Sequence, residues 1–159
     1  MTGSHAPRIM RARPDDAAAM ETTLATAFEP LRAQYTPAGF AATTPSADVL
    51  AARFAEGPAW VAVLDDLIVG TVAARTTAGG VYVRSMAVLP GARGSGVGQA
   101  LLDQVEAFAN AQGAPRLYLS TTPFLDAAIR LYVRAGFVRT DEGPTDLHGT
   151  PLLTMEKPL

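Results

Sequence analysis

The feature that most constrains this chain is a stretch from Val81 to Leu102 that changes character halfway. In its first part, Val81 to Val88, the odd-numbered residues would face one side of a strand and the even-numbered residues the other. This part is also rich in residue types that favour strands. Pro90-Gly91 ends that strand, because proline has no amide donor for a sheet ladder. Apolar residues then recur at helical spacing from Val97 onward. The stretch therefore predicts a strand, a glycine-rich turn and a helix in direct succession.

The turn between strand and helix reads Arg93-Gly94-Ser95-Gly96-Val97-Gly98. The first N–H groups of a helix have no intrahelical acceptor and carry the positive end of the helix dipole. Glycines leave these groups uncovered and Arg93 adds a cation, so the turn suits a pyrophosphate. Two common phosphate loops do not fit, because a P-loop needs lysine where Val97 stands and a dinucleotide loop needs glycine where Gln99 stands.

The turn does match the pattern R-x-x-G-x-G after a strand that ends in V-x-P. Arg93, Gly96 and Gly98 fill the fixed positions, and Val88-Leu89-Pro90 precedes them. A second pattern follows near the C-terminal end, where Ala128 to Phe137 reads AIRLYVRAGF and is similar to A-I-x-L-Y-x-x-x-G-F. With these two motifs in this order, the chain resembles the GCN5-related N-acetyltransferase (GNAT) superfamily. The order of its predicted elements extends the resemblance over nearly the whole chain.

The resemblance implies an α/β fold with one mixed, mostly antiparallel, twisted sheet of about seven strands and helices on both faces. Residues 1–159 are expected to form a single domain of this family, and residues 1–7 to be disordered or a remnant of cloning. In the family, the central strand and the strand that here begins at Arg116 splay apart at their C-terminal ends, where the arm of CoA lies.

The function implied by the resemblance is transfer of an acetyl group from acetyl-CoA to a primary amine, by direct attack in a ternary complex. The chain has no cysteine that could carry a covalent acetyl group. Backbone N–H groups of the central strand would hold the pantetheine and polarise the thioester, and the turn would hold the pyrophosphate. The expected cofactor-binding residues are Met86, Ala87, Val88, Arg93, Gly94, Ser95, Gly96, Val97, Gly98 and Gln99. No metal is expected.

Tyr132 in the second motif is the expected catalytic residue, because the resemblance places its hydroxyl near the thioester sulfur. Attack by an amine expels a thiolate, and a phenol can donate a proton or hydrogen bond to that sulfur. The alternative is a core tyrosine without a chemical role. Leu125 departs from the family, because many members have an asparagine there that contacts the CoA arm; Thr121 or Thr122 could compensate.

The general base is left open by the sequence. Some relatives carry a glutamate on the central strand, but Tyr82 stands near that position here. Other candidates are Glu29, Asp48, Asp146 and His148, each of which also suits a surface or capping role. A water chain or an acceptor that arrives neutral would serve equally well.

Two alternatives to an acetyltransferase fit the same motifs, namely a non-catalytic CoA-binding regulatory module and a transferase for another acyl-CoA. The expected acceptor is a small-molecule amine or a protein N-terminus, and a homodimer is left open. The net charge of −2 and the lack of a basic run argue against binding of nucleic acid. No apolar run approaches the length of a membrane span, and the N-terminus lacks the apolar core of a signal peptide. A cytoplasmic location is expected.

Elements outside the two motifs are predicted from periodicity and capping residues. Ala17 to Phe28 reads as a helix, and Ser46 is suited to cap a second helix that runs through Phe54. Leu31 to Pro45 reads as a loop or broken helix, and Asp141 to Thr150 as a long polar loop before a last strand. Acceptors are expected to contact these two loops.

Overall fold

The computed structural model describes residues 6–159, and its main feature is a mixed sheet of seven strands. The strands of the chain are β1 (Arg8–Arg11), β2 (Ala59–Leu64), β3 (Leu67–Thr77), β4 (Gly80–Val88), β5 (Arg116–Thr121), β6 (Val138–Thr140), β7 (Asp146–Leu147), β8 (Thr150–Pro151) and β9 (Leu153–Pro158). The large sheet has the order β1-β2-β3-β4-β5-β9-β6, in which only β4 and β5 are parallel. This confirms the expected fold class. The expectation for residues 1–7 falls, for its first five positions, outside the described residues.

Five α-helices in the described part of the chain cover the two faces of the sheet. They are α1 (Ala17–Phe28), α2 (Pro37–Thr43), α3 (Ala47–Arg53), α4 (Val97–Ala111) and α5 (Asp126–Arg134). One core packs α4 and α5 against inward residues such as Val81 and Leu117. The other packs α1 and α3 against the opposite face. Within residues 6–159, no helix is long and apolar enough to cross a bilayer.

The strands β4 and β5 separate soon after they meet. Their parallel register comprises two pairs, Val81 with Leu117 and Tyr82 with Tyr118. Both strands continue beyond this point, β4 as far as Val88, without further pairing to each other. The expected splay at their C-terminal ends is therefore confirmed, and it leaves one edge of β4 open.

Of the two segments predicted to contact an acceptor, Leu31 to Pro45 forms the broken helix that is one of its two interpretations, and the predicted polar loop is more regular than expected. A 3₁₀ helix spans Glu29–Gln34 and leads into α2, where the Thr36 hydroxyl accepts from the Gly39 amide at 3.0 Å. The predicted polar loop contains the hairpin of β7 and β8. Thr36 also joins the two segments, because its amide donates to Thr150 Oγ1 at 3.0 Å and its hydroxyl to the His148 carbonyl at 2.7 Å.

Candidate active site

The glycine turn brings the chain from the end of β4 into the first turn of α4. Gly96 is the N-cap, and both Gly94 and Gly96 have φ of +83°, a backbone region that glycine adopts without strain. A Cβ on either residue would meet no atom within 4 Å, so the space in front of the turn is open. The first helical hydrogen bond runs from the Ala100 amide to the Gly96 carbonyl at 3.0 Å. The amides of residues 97–99 therefore have no intrahelical acceptor.

Side chains around the turn are held by the protein itself. Arg93 is exposed, and its Nη2 donates to the Ala27 carbonyl in the last turn of α1 at 3.4 Å. The Ser95 hydroxyl donates to the Ala92 carbonyl, and the Gln99 amide to the Asp103 carboxylate at 2.8 Å. The main chain is thus the part of this turn that is open to a ligand, and the Arg93 guanidinium stands beside it.

Gly98 differs from the other glycines of the turn because it lies against a neighbouring helix. A Cβ built on Gly98 would come within 2.7 Å of the Leu131 Cδ2 atom of α5. A side chain at this position would therefore displace the end of Leu131. The amide of Gly98 also belongs to the open helix end, where a phosphate is expected.

A β-bulge interrupts the central strand between Arg84 and Ala87. Thr71 pairs with Ala87 and Ala73 with Arg84, so β4 spends one more residue than β3 over this interval. Ser85, inside the bulge, has φ of +55°, which non-glycine residues seldom adopt.

Beyond the bulge, amide directions follow from one hydrogen bond at the end of β4. The Leu89 amide donates to the Val69 carbonyl at 2.8 Å, on the β3 side. Because successive amides of a strand alternate in direction, those of Val88 and Met86 point to the opposite edge, where β5 has diverged. The Ala87 amide points to β3. Of the three residues expected to hold pantetheine, two present an open amide.

A cavity of about 420 Å³ lies where β4 and β5 diverge. Its walls come from the first three helices, both strands, α5 and the β7 hairpin. The residues that line it are Leu24, Phe28, Tyr35, Ala42, Thr43, Pro45, Arg53, Tyr82, Val83, Arg84, Ser85, Met86, Leu119, Ser120, Thr121, Thr122, Leu125, Tyr132, Pro144, Asp146, Leu147 and Leu152. The cavity therefore brings together the expected site residues Met86 and Tyr132 and both segments predicted to contact an acceptor. Leu125, which replaces the asparagine found in many family members, also lines it.

Tyr132 lies on the wall of this cavity, with its ring packed against Phe137 at a centroid distance of 5.7 Å. The side chain is buried, and the hydroxyl makes no hydrogen bond to any described residue. Burial raises the pKa of Tyr132 well above its usual value, and the nearby Tyr82 and Tyr35 raise it further. The hydroxyl therefore stays protonated at neutral pH and is available as a donor.

The candidate general bases differ in whether they line the cavity. Asp146 lines it and accepts a hydrogen bond from the Gly149 amide at 3.0 Å, and Tyr82 lines it as well. Asp48 and His148 are exposed and lie outside the lining.

Glu29 also lies outside the cavity lining. It pairs with Arg32 at 2.8 Å, and that hydrogen bond holds the pKa of the Glu29 carboxyl below its usual value. Asp146 is thus the one carboxylate among the candidates that could reach an acceptor.

Sequence reasoning missed two arginines of the cavity wall, Arg53 from the last turn of α3 and Arg84 from β4. Strand alternation could have placed Arg84 on the same face as Tyr82, two residues earlier. No sequence signal places Arg53 near the bulge, because that depends on how α3 packs on the sheet. Described residues hold no cluster of three or more His, Cys, Asp or Glu side chains that could bind a metal.

Comparisons with known proteins agree with this architecture. An "IAA acetyltransferase" from Azospirillum brasilense is 41% identical over 92 residues, which are 57% of this chain and 59% of that protein. The match thus spans less than two thirds of that relative.

Among solved structures, the PaiA N-acetyltransferase from Thermoplasma acidophilum in complex with coenzyme A has a TM-score of 0.82 at 15% identity, covering 98% of this chain and 100% of that one. A GCN5-related N-acetyltransferase from Rhodopseudomonas palustris has a TM-score of 0.80 at 24% identity, covering 100% and 99%. These likenesses show a shared fold. The family model of the acetyltransferase (GNAT) family matches residues 21–137, well over half of the sequence, and the chain therefore belongs to that family.

Proposed function

We propose that this protein is an N-acetyltransferase that moves an acetyl group from acetyl-CoA to a primary amine by direct attack in a ternary complex. The observation that carries the proposal is the open edge of β4. Two amides, of Met86 and Val88, face a gap that leads into a cavity with Tyr132 on its wall. The family and the coenzyme A complex of a structural neighbour support the choice of donor.

The residues of the turn fit the pyrophosphate of CoA. The space in front of Gly94 and Gly96 is open, and the amides of residues 97–99 point out of the helix end. Fixed amide donors at a helix N-terminus bind phosphate without further reorganisation. Arg93 would add a charge-assisted contact, and the Met86 and Val88 amides would hold the pantetheine as a neighbouring strand does.

When bound, acetyl-CoA supplies a thioester whose carbonyl carbon accepts a nucleophile. The acceptor nitrogen forms a C–N bond as the C–S bond breaks, and the electron pair of the broken bond leaves with sulfur. The Met86 amide would polarise the carbonyl oxygen. Tyr132 Oη–H would donate to the departing sulfur, and the proton of the amine would leave through Asp146 or water.

The first experiment measures release of the CoA thiol from acetyl-CoA with a panel of primary amines. Steady release that depends on the amine supports the transferase. Tight binding of CoA without release for any amine would instead favour the non-catalytic regulatory module. Replacing acetyl-CoA by longer acyl donors in the same assay tests the choice of acyl group.

Gly96→Asp tests the turn directly, with Gly96→Ala as the matched control. Both variants place a Cβ on a residue with φ of +83°, which costs about 1–2 kcal/mol for alanine and less for aspartate, so backbone strain alone would not make Gly96→Asp the weaker binder. Only aspartate adds a negative charge where the pyrophosphate would lie. Calorimetry should therefore show a much weaker affinity for CoA in Gly96→Asp than in Gly96→Ala, and equal affinities would refute the site.

A further inference from the structure

The guanidinium groups of Arg53 and Arg84 line the cavity, and little negative charge lies near them. Arg53 Nη1 donates to Ser85 Oγ at 3.3 Å, and no carboxylate of the described residues lies within ion-pair distance of Arg53. Arg84 Nη2 pairs with Glu56 Oε2 at 3.1 Å, but its Nε is buried and has no hydrogen-bond partner. The wall therefore offers unused donors on two positively charged side chains.

The one carboxylate in this cluster is already shared. Glu56 also faces Arg75 Nε at 3.7 Å, so two arginines share this single acid and Arg53 is not in an ion pair with it. Burial lowers the pKa of Arg53, and the neighbouring Arg84 lowers it further. Glu56 offsets these two effects only in part, so Arg53 is a partly buried cation that an anionic ligand group would stabilise.

The position of Arg53 relative to the open amides limits the size of that ligand. Ser85 accepts from Arg53 and directly precedes Met86, whose amide faces the gap. An anion on Arg53 would thus lie close to the atom that receives the amine. A carboxylate and an amine that share one carbon match this short spacing, and a long polyamine does not.

Two further polar groups line the cavity without a well-formed hydrogen bond. The hydroxyls of Tyr35 and Thr122 are buried without a hydrogen bond of normal geometry, although the Thr122 and Thr43 hydroxyls are near enough to moderate the raised pKa of Tyr35. Leu24 and Phe28 supply apolar wall between these polar groups. The cavity therefore combines anion donors, buried hydroxyls and an apolar surface.

We propose that the acceptor is a small free amino acid, whose carboxylate binds Arg53 with support from Arg84 while its amine faces the open edge of β4. This proposal rests on the proposed N-acetyltransferase function and names its substrate class. A protein N-terminus has an amide in place of this carboxylate, so it would leave Arg53 without an anionic partner.

The test measures release of the CoA thiol from acetyl-CoA with the common L-amino acids, each beside its C-terminal amide. The two series share the side chain and differ in the charge that Arg53 would contact. Because the amide also lowers the pKa of the adjacent amine, rates are compared per neutral amine, from pH profiles of each pair. At least one free acid should have a kcat/KM about ten- to a hundredfold above that of its amide, the range of a charge-assisted hydrogen bond. Amides that react as well as or better than the acids would overturn the proposal while leaving the transferase intact.

Release with neither series would count against the proposed transferase function itself. The inference then stands on binding, measured as the thermal shift that the free acids produce in the presence of CoA. A shift given by free acids but not by their amides supports it, and the absence of such a shift refutes it.

Arg53→Gln is the deciding variant, and Arg75→Gln is its matched control. Arg75 also faces Glu56, but it is half exposed and lies outside the cavity lining. Arg53→Gln should lower kcat/KM for the free acid about tenfold or more and leave the amide nearly unchanged. Arg75→Gln should change neither, and Arg53→Lys should restore part of the preference. An equal loss for acid and amide in Arg53→Gln would assign Arg53 a packing role and overturn the proposal.

Discussion

Replacing Tyr132 with phenylalanine separates a catalytic hydroxyl from a core ring. The ring packs against Phe137 and remains in the variant, so the packing of α5 is preserved. The hydroxyl makes no hydrogen bond to a described residue, so its removal breaks no contact within the protein. Since a typical lost hydrogen bond costs about 1 kcal/mol, the free energy of unfolding should change by less than this.

The expected effect on the rate is much larger. A positioned hydrogen-bond donor at an atom that gains negative charge contributes about 10²- to 10³-fold, and a hundredfold loss corresponds to about 2.7 kcal/mol in the barrier. The affinity for acetyl-CoA should stay nearly constant, because a thioester sulfur accepts hydrogen bonds poorly in the ground state. The loss should therefore appear in kcat and leave ground-state binding unchanged.

The assay compares kcat, acetyl-CoA affinity and melting temperature of Tyr132→Phe with those of Tyr118→Phe. The Tyr118 hydroxyl bonds to Thr77 Oγ1 at 2.6 Å and does not line the cavity. Tyr118→Phe should thus lower stability by about 1 kcal/mol with little change in kcat, the reverse of the pattern expected for Tyr132→Phe. A normal kcat in Tyr132→Phe would refute the catalytic role.

Three further predictions follow from the same structure. Arg93→Ala should weaken CoA binding about ten- to a hundredfold, and binding of a pantetheine analogue without phosphates much less; equal losses in calorimetry would indicate a packing role. Gly98→Val should lower the free energy of unfolding by about 1–3 kcal/mol, because a branched side chain there would overlap Leu131, which already lies within 2.7 Å of a Cβ, whereas Gly91→Val meets open space and should cost clearly less in denaturant titration. Because burial raises the pKa of Tyr132, the folded state holds that proton more tightly than the unfolded state does. This stabilisation is complete below about pH 10 and is lost as pH rises through the folded pKa. Wild type should therefore lose more melting temperature than Tyr132→Phe on going to strongly alkaline pH, and equal losses would contradict the assignment.

Elements with local signals are well predicted from the sequence. Helix α1 has the predicted limits, Ala17–Phe28, and Ser46 caps α3 through a hydrogen bond from the Val49 amide at 3.3 Å. The strand, turn and helix around Gly96 also lie where the pattern places them. Each of these features depends on residues within a few positions of one another, which one sequence displays directly.

Features that depend on distant contacts are not visible in the same way. Thr36 and Thr150 are 114 positions apart, yet their hydrogen bonds order both α2 and the β7 hairpin. Gly98 was interpreted from the turn alone, but a side chain there would meet Leu131 on another helix. No sequence pattern predicts the position of Arg53, because only the packing of α3 against β4 brings it to Ser85.

The bulge at Ser85 connects the two halves of the proposed site. Because β4 carries one extra residue there, the alternation of its amides changes phase relative to β3, and Met86 and Val88 present theirs to the open edge. The same residue accepts a hydrogen bond from Arg53 on the acceptor side of the cavity. In the proposed site, the amide that would contact the donor and the guanidinium that would contact the acceptor are thus positioned by consecutive residues of one strand. Any shift of the bulge along β4 would move both together, which makes its left-handed backbone at Ser85 a geometric requirement of the reaction proposed here.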